Sequence, residues 1–279
     1  MQLPIIGQGS QPKETDGAEL DFMRLPSEMT TYSMPRVSVS NIKAIAKAKT
    51  LLQAVLEALK NYTPSENQVF STSGLDNNEL AFINEILGEG EVSIIQQQGD
   101  GQIQIQESVL TGVWRVQSFN KQGDVQNDLI EIGDIPRLVK EETFSGAKKH
   151  LYFDENNLPA GLMNALPLIA EINTQIADYS QDNLAHVINL SLLPQTPEDL
   201  QFLYETLDKG GVSILSRGYG TNRITSTLTD KVWWVQYFNS DDTLILNTLE
   251  ISNVPSVACA APEDLADSAK RLNEILTLY

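Results

Sequence analysis

The chain of 279 residues has one cysteine, Cys259, and two histidines, His150 and His186. A lone thiol excludes an intrachain disulfide framework and every CxxC-type zinc or iron–sulfur site built from this chain alone. The histidines stand 36 residues apart, without the paired spacing of metal ligands, so neither a protein-owned metal nor another cofactor is expected. Basic side chains are scarce too. Nineteen Lys and Arg against 37 Asp and Glu leave a net charge of −18, which repels phosphate and argues against nucleic acid as a partner. No run approaches the roughly 18 apolar residues that span a bilayer, and residues 1–10 lack the basic start and apolar stretch of a secretory signal. These absences point to a soluble protein of a reducing cytoplasm, without membrane insertion.

What is present builds a core: hydrophobic residues make up 41% and charged ones 20%, a globular rather than a disordered composition. Residues 1–36 hold four prolines and no sustained period, and read as a flexible extension, either a passive tail or a segment that orders on a partner. From Ser40, a candidate N-cap, apolar residues recur at helical spacing through Leu59. A short strand at Gln68–Ser71 follows, then a helix opened by an Asp76–Glu79 capping box and stopped at Gly88. The period then falls to two, giving four strands within 91–97, 102–109, 112–120 and 127–133.

The order then returns: a helix over 162–179, an extended piece over 186–193, and a helix begun by Thr196 and Pro197 and closed at Gly210. Gly90-Glu-Val-Ser-Ile94 reappears as Gly210-Gly-Val-Ser-Ile214, and Val113-Trp-Arg-Val-Gln-Ser-Phe-Asn120 as Val232-Trp-Trp-Val-Gln-Tyr-Phe-Asn239. The expected fold class is therefore α+β: a tandem duplication of an α-β-α plus four-stranded antiparallel meander unit, with a C-terminal helix at 262–276. The repeats are placed at 37–146 and 147–279, and whether their sheets merge stays open.

Residues shared by the repeats serve the common fold. Trp114 and Trp233 alternate with Val116 and Val235 onto a nearly all-apolar strand face, the expected core; the opposite face is mixed. Glu131 and Glu250 occupy equivalent positions and read as solvated or cap-pairing carboxylates rather than an acid–base pair. Cys259, among small apolar residues, reads as structural. Residues that differ between repeats locate added function. The first hairpin is rich in glutamine, at 96–98, 102, 104 and 106, where the second carries Arg217, Gly218, Tyr219, Gly220 and Arg223. Trp234 and Tyr237 replace Arg115 and Ser118 on the adjoining strand. Arg, Tyr and Trp are the types enriched at interface hot spots, so these residues form the candidate partner surface; the competing reading packs them against the other repeat or the last helix. Gly218-Tyr-Gly220 is no phosphate loop, since no third glycine opens a helix, and reads as a turn with positive φ.

The run Gly210 to Gly220, with Arg223-Ile-Thr-Ser-Thr227, Val232 to Asn239, Leu244-Ile-Leu-Asn-Thr248 and Val254 to Leu265, closely resembles the HupH/HyaF/HoxQ family of hydrogenase expression and formation proteins. The resemblance covers roughly residues 20–279, and the Arg-Gly-Tyr-Gly signature is confined to the second repeat. It implies a non-enzymatic role in maturing membrane-bound nickel–iron hydrogenases, as a chaperone of the iron–sulfur small-subunit precursor before twin-arginine export. Two alternatives remain: a scaffold for other maturation accessories, or an enzyme acting through Glu131, Glu250 or Cys259.

Overall fold

The computed structural model describes residues 45–64, 66–180, 184–218 and 220–279. The extension at 1–36, Ser40 and Tyr219 lie outside the described residues. The first half runs α1 (Ala46–Lys60), β1 (Gln68–Ser71), α2 (Asn77–Leu87), β2 (Val92–Gln98), β3 (Gly101–Glu107), β4 (Val113–Phe119), β5 (Val125–Ile132) and α3 (Arg137–Glu142). The second runs α4 (Ala165–Ala177), β6 (His186–Asn189), α5 (Pro197–Leu207), β7 (Lys209–Ser216), β8 (Thr221–Thr227), β9 (Val232–Phe238), β10 (Leu244–Ile251), a 3-10 turn at Ser256–Ala258 and α6 (Pro262–Leu276).

Local chemistry starts the second helix of each half in the same way. Asp76 accepts from the Asn78 and Glu79 amides while the Glu79 carboxylate takes the Asp76 amide; Thr196 and Asp199 repeat this exchange at α5, with Pro197 at the first helical position. The α5 helix ends earlier than Gly210, at Asp208, whose φ of 59° leaves the helical region, and β7 begins at once with Lys209.

The ten strands form one antiparallel sheet in the order β1-β5-β4-β3-β2-β7-β8-β9-β10-β6. The halves meet where β2 pairs with β7, and the register is symmetric: Ile94 faces Ile214, Val92 faces Ser216 and Gln96 faces Val212. Ile94 and Ile214 hold the same place in the two matching sequence runs, so either half sees the same partner across the seam. An edge strand exposes unpaired N–H and C=O groups; joining the two meanders covers an edge of each.

The expectation of one apolar core face is corrected, because the sheet is buried on both sides. On one side α1, α2 and α6 cover Val113, Ile130 and Ile132, while α4 and α5 cover Val232, Trp234, Leu249 and Ile251. On the other, Ile94, Trp114, Ile214 and Trp233 pack beneath Ile135, Val139 and Ala258 from the segments that fold back after each meander. The Trp114 and Trp233 indoles donate to the carbonyls of Gly133 (2.9 Å) and Asn253 (3.3 Å), the satisfied state a core tryptophan needs.

Candidate functional site

The residues singled out in the second hairpin do not converge. Arg217 is exposed, and its amide donates to the Glu91 carbonyl of the first half at 3.0 Å. Gly218 lies so close to that half that a Cβ would sit 2.5 Å from a Glu91 carboxylate oxygen. Gly220 has the expected positive φ, +97°, and a Cβ there would also crowd the Phe238 carbonyl at 2.8 Å, so glycine is required twice over. Arg223 is half-buried, its guanidinium 4.3 Å above the Phe238 ring and 3.9 Å from Asp242. Tyr237 points to the opposite sheet face and donates to Glu250 Oε1 at 3.2 Å. Burial first, then the Glu250 charge, pushes the Tyr237 hydroxyl up to about 12.

Trp234 is the main correction. It is 1% exposed, packed under α4 and α5, with its indole donating to Asn247 Oδ1 at 2.6 Å. Where the second half places this ring, the first places the equally buried Arg115, paired with Asp128. Trp234 therefore belongs to the core, not to the surface. Of the two roles expected for Glu131 the cap-pairing one is seen and the solvated one is not: it is buried, and accepts from Asn67 Nδ2 and from the Arg137 amide at the start of α3, both at 2.7 Å. Glu250 is likewise buried, its carboxyl raised by desolvation against hydrogen bonds from Tyr237 and Thr248. The half-buried Cys259 thiol is pushed up to about 12, by burial and then by Asp134, which keeps it protonated at neutral pH and unfit as a nucleophile.

Two features were missed in the sequence. The first is an apolar margin at the free edge of β6. The expected strand over 186–193 ends at Asn189, and Leu192 and Leu193 turn outward, with Leu192 80% exposed. Val187 on β6 is half exposed, and Met163, just before α4, is 67% exposed. Asp199 ties these pieces together: one carboxylate oxygen accepts from the amides of Met163 (2.8 Å), Asn164 (3.0 Å) and Ala165 (2.9 Å), the other from Thr196 (3.1 Å). Burial would raise this carboxyl, but the four N–H donors outweigh it and hold it below the usual carboxylate range. Asn164 Nδ2 also donates to the Pro194 carbonyl at 2.5 Å, fixing the 161–164 loop beside the 190–196 loop. Both polar atoms of the Gln195 carboxamide in this loop are buried without a hydrogen-bond partner among the described residues. Exposed apolar side chains thus flank this edge on both sheet faces, since Val187 points away from the α4–α5 side that Ile188 faces.

The second feature is a cleft of about 510 Å³ between the halves, lined by Glu91, Glu107, Arg217, Cys259 and Asp264 among others. Glu107 is 5% exposed; burial pushes its carboxyl up to about 7, against hydrogen bonds from backbone amides, Gly112 first among them. No group of three metal-ligating side chains occurs among the described residues, and no helix among them is long and apolar enough to cross a membrane.

Residues 45–150 and again 162–279 match the family model described as HupH hydrogenase expression protein, C-terminal conserved region. The chain is similar to the hydrogenase expression/formation protein HoxQ of Cupriavidus necator, 42% identical over 274 residues that cover 98% of this chain and 95% of the relative. It is 41% identical over 274 residues to the hydrogenase expression/formation protein HupH of Rhodobacter capsulatus, covering 97% and 94%. A solved structure, the hydrogenase expression protein HupH from Thiobacillus denitrificans, aligns at 29% identity with a TM-score of 0.39, over 42% of this chain and 97% of that one.

Proposed function

This chain belongs to the HupH family of hydrogenase expression and formation proteins, and from that membership we propose that it is a non-enzymatic accessory that holds the precursor of a hydrogenase small subunit before export. The observation that carries the reading is the apolar margin of Met163, Val187, Leu192 and Leu193 beside the free edge of β6. The signal segment of a precursor awaiting export is an unfolded stretch that offers apolar side chains and unpaired backbone. A rigid apolar ledge next to an open strand edge suits both. Arg217, Tyr219 and Arg223 add polar contacts from the second hairpin, whose turn Gly218 and Gly220 permit, and Tyr237, bonded to Glu250, lies on the other sheet face. We read the halves as copies of one ancestral unit, divided near residue 147, of which the second carries the binding role.

Co-purification with a tagged small-subunit precursor tests this. Leu192→Ser combined with Leu193→Ser is expected to cut capture more than about tenfold with an unchanged circular dichroism spectrum, since both side chains are solvent-facing. Undiminished capture overturns the site. Cys259→Ser is expected to support hydrogenase formation at the parent level, the opposite of what the enzymatic alternative requires.

A further inference from the structure

In a chain with 37 acidic and 19 basic residues, Lys60, Lys121, Lys140, Lys270, Arg115, Arg137 and Arg223 pair with carboxylates, while Lys47, Lys231 and Arg271 bond a carbonyl or amide oxygen. Lys148 and Lys149 are adjacent and exposed, and neither forms an ion pair among the described residues. They line a hollow of about 440 Å³ with His150, Leu151, Tyr152 and Thr206, and no acidic side chain lines it. The backbone beneath is pinned at both ends. The Lys148 amide donates to the Leu228 carbonyl and its carbonyl accepts from the Asp230 amide, both at 2.8 Å, while Leu151 exchanges hydrogen bonds with Asn173 on α4 at 2.7 and 3.1 Å. Tyr152 is 83% exposed, its ring 4.4 Å from that of His150. Two unpaired ammonium groups and an exposed pair of rings thus project from a fixed strip of chain.

We propose that this hollow binds an acidic polypeptide segment, with Lys148 and Lys149 meeting its carboxylates and the His150–Tyr152 rings forming the ledge beside them. Charge complementarity selects the partner. Charges farther than a Debye length of about 8 Å are largely screened, so the lining of the hollow, cationic at Lys148 and Lys149, outweighs the distant part of the negative surface. The amides of Lys148 and Asp230 are spent on the bridge and cannot converge on a compact anion. Two lysines on flexible stems instead match carboxylates spaced along an extended segment. The hollow touches the C-terminal end of α5 at Thr206, whereas the apolar margin lies at its N-terminal end, so this site is independent of the precursor-binding reading.

Fluorescence anisotropy of a labelled hexaglutamate peptide with the full chain tests it, with inorganic phosphate and a short oligonucleotide as competitors. Saturable binding is expected, weakened about tenfold between about 50 and 500 mM salt, about tenfold in the Lys148→Gln, Lys149→Gln double variant, and not at all in Lys270→Gln. Absence of saturable binding, binding unaffected by the double variant, or displacement by equimolar phosphate or oligonucleotide overturns the proposal.

Discussion

The two halves use the same brace at the start of their helices, and its strength differs. In the first half Glu79 reaches from α2 to one amide of α1, that of Lys47, at 2.9 Å. In the second, Asp199 reaches from α5 to three amides at the start of α4. What the brace supports differs as well. The first half joins β1 to α2 through Thr72, Ser73, Gly74, Leu75 and Asp76, with Leu75 turned inward onto the core, whereas the second carries Leu192 and Leu193 outward on a link two residues longer. A stiffer brace under an apolar loop is the arrangement expected of a surface that must stay open to a partner without collapsing onto its own core.

Removing the brace gives the largest expected difference between the halves. Asp199→Ala removes the acceptor of four amides, three of them on buried or half-buried residues, and is expected to destabilise by about 3–5 kcal/mol, against about 1–2 kcal/mol for Glu79→Ala, by urea unfolding. Because the Asp199 carboxyl is held below its usual range, its contribution is present at neutral pH and is lost on acidification, as pH falls below the ordinary carboxylate value and through the lowered one. Equal losses from the two variants would erase the distinction between the braces.

Glu107 sharpens the comparison with a smaller effect of opposite sign. At this strand position, facing a core tryptophan, the first half places a buried carboxyl and the second places Ser226. With its value pushed from 4.5 to about 7, the folded chain keeps a proton that the unfolded chain releases over that range. Its contribution is therefore full below about pH 4.5 and falls as pH rises to about 7, by about 2–3 kcal/mol. Glu107→Gln is expected to flatten this slope, so that the variant exceeds the parent in melting temperature at pH 8 and loses that advantage at pH 4.5. A pH profile parallel to the parent's would refute the assignment.

Elements governed by local chemistry were legible in the sequence: β1 and α6 have their expected bounds, and both helix caps are in place. What depended on distant partners was not. Alternation along β9 marks two faces but cannot say that a helix pair covers the second, so Trp234 read as a surface ring although α4 and α5 bury it. The apolar margin was hidden within an extended piece expected through Leu193, because periodicity cannot tell that β6 runs out after four residues, paired among the described residues with β10 alone. Of the hairpin, the Gly220 turn was readable from residue type alone, whereas the contact of Gly218 with Glu91 needed the seam between the halves.

Hydrogen exchange with and without the small-subunit precursor tests the central claim most directly. Protection is expected at the β6 edge and the loops at 161–164 and 190–196, with the β1 edge unchanged. Protection confined to the first half, or equal at both edges, would contradict a binding role specific to the second half.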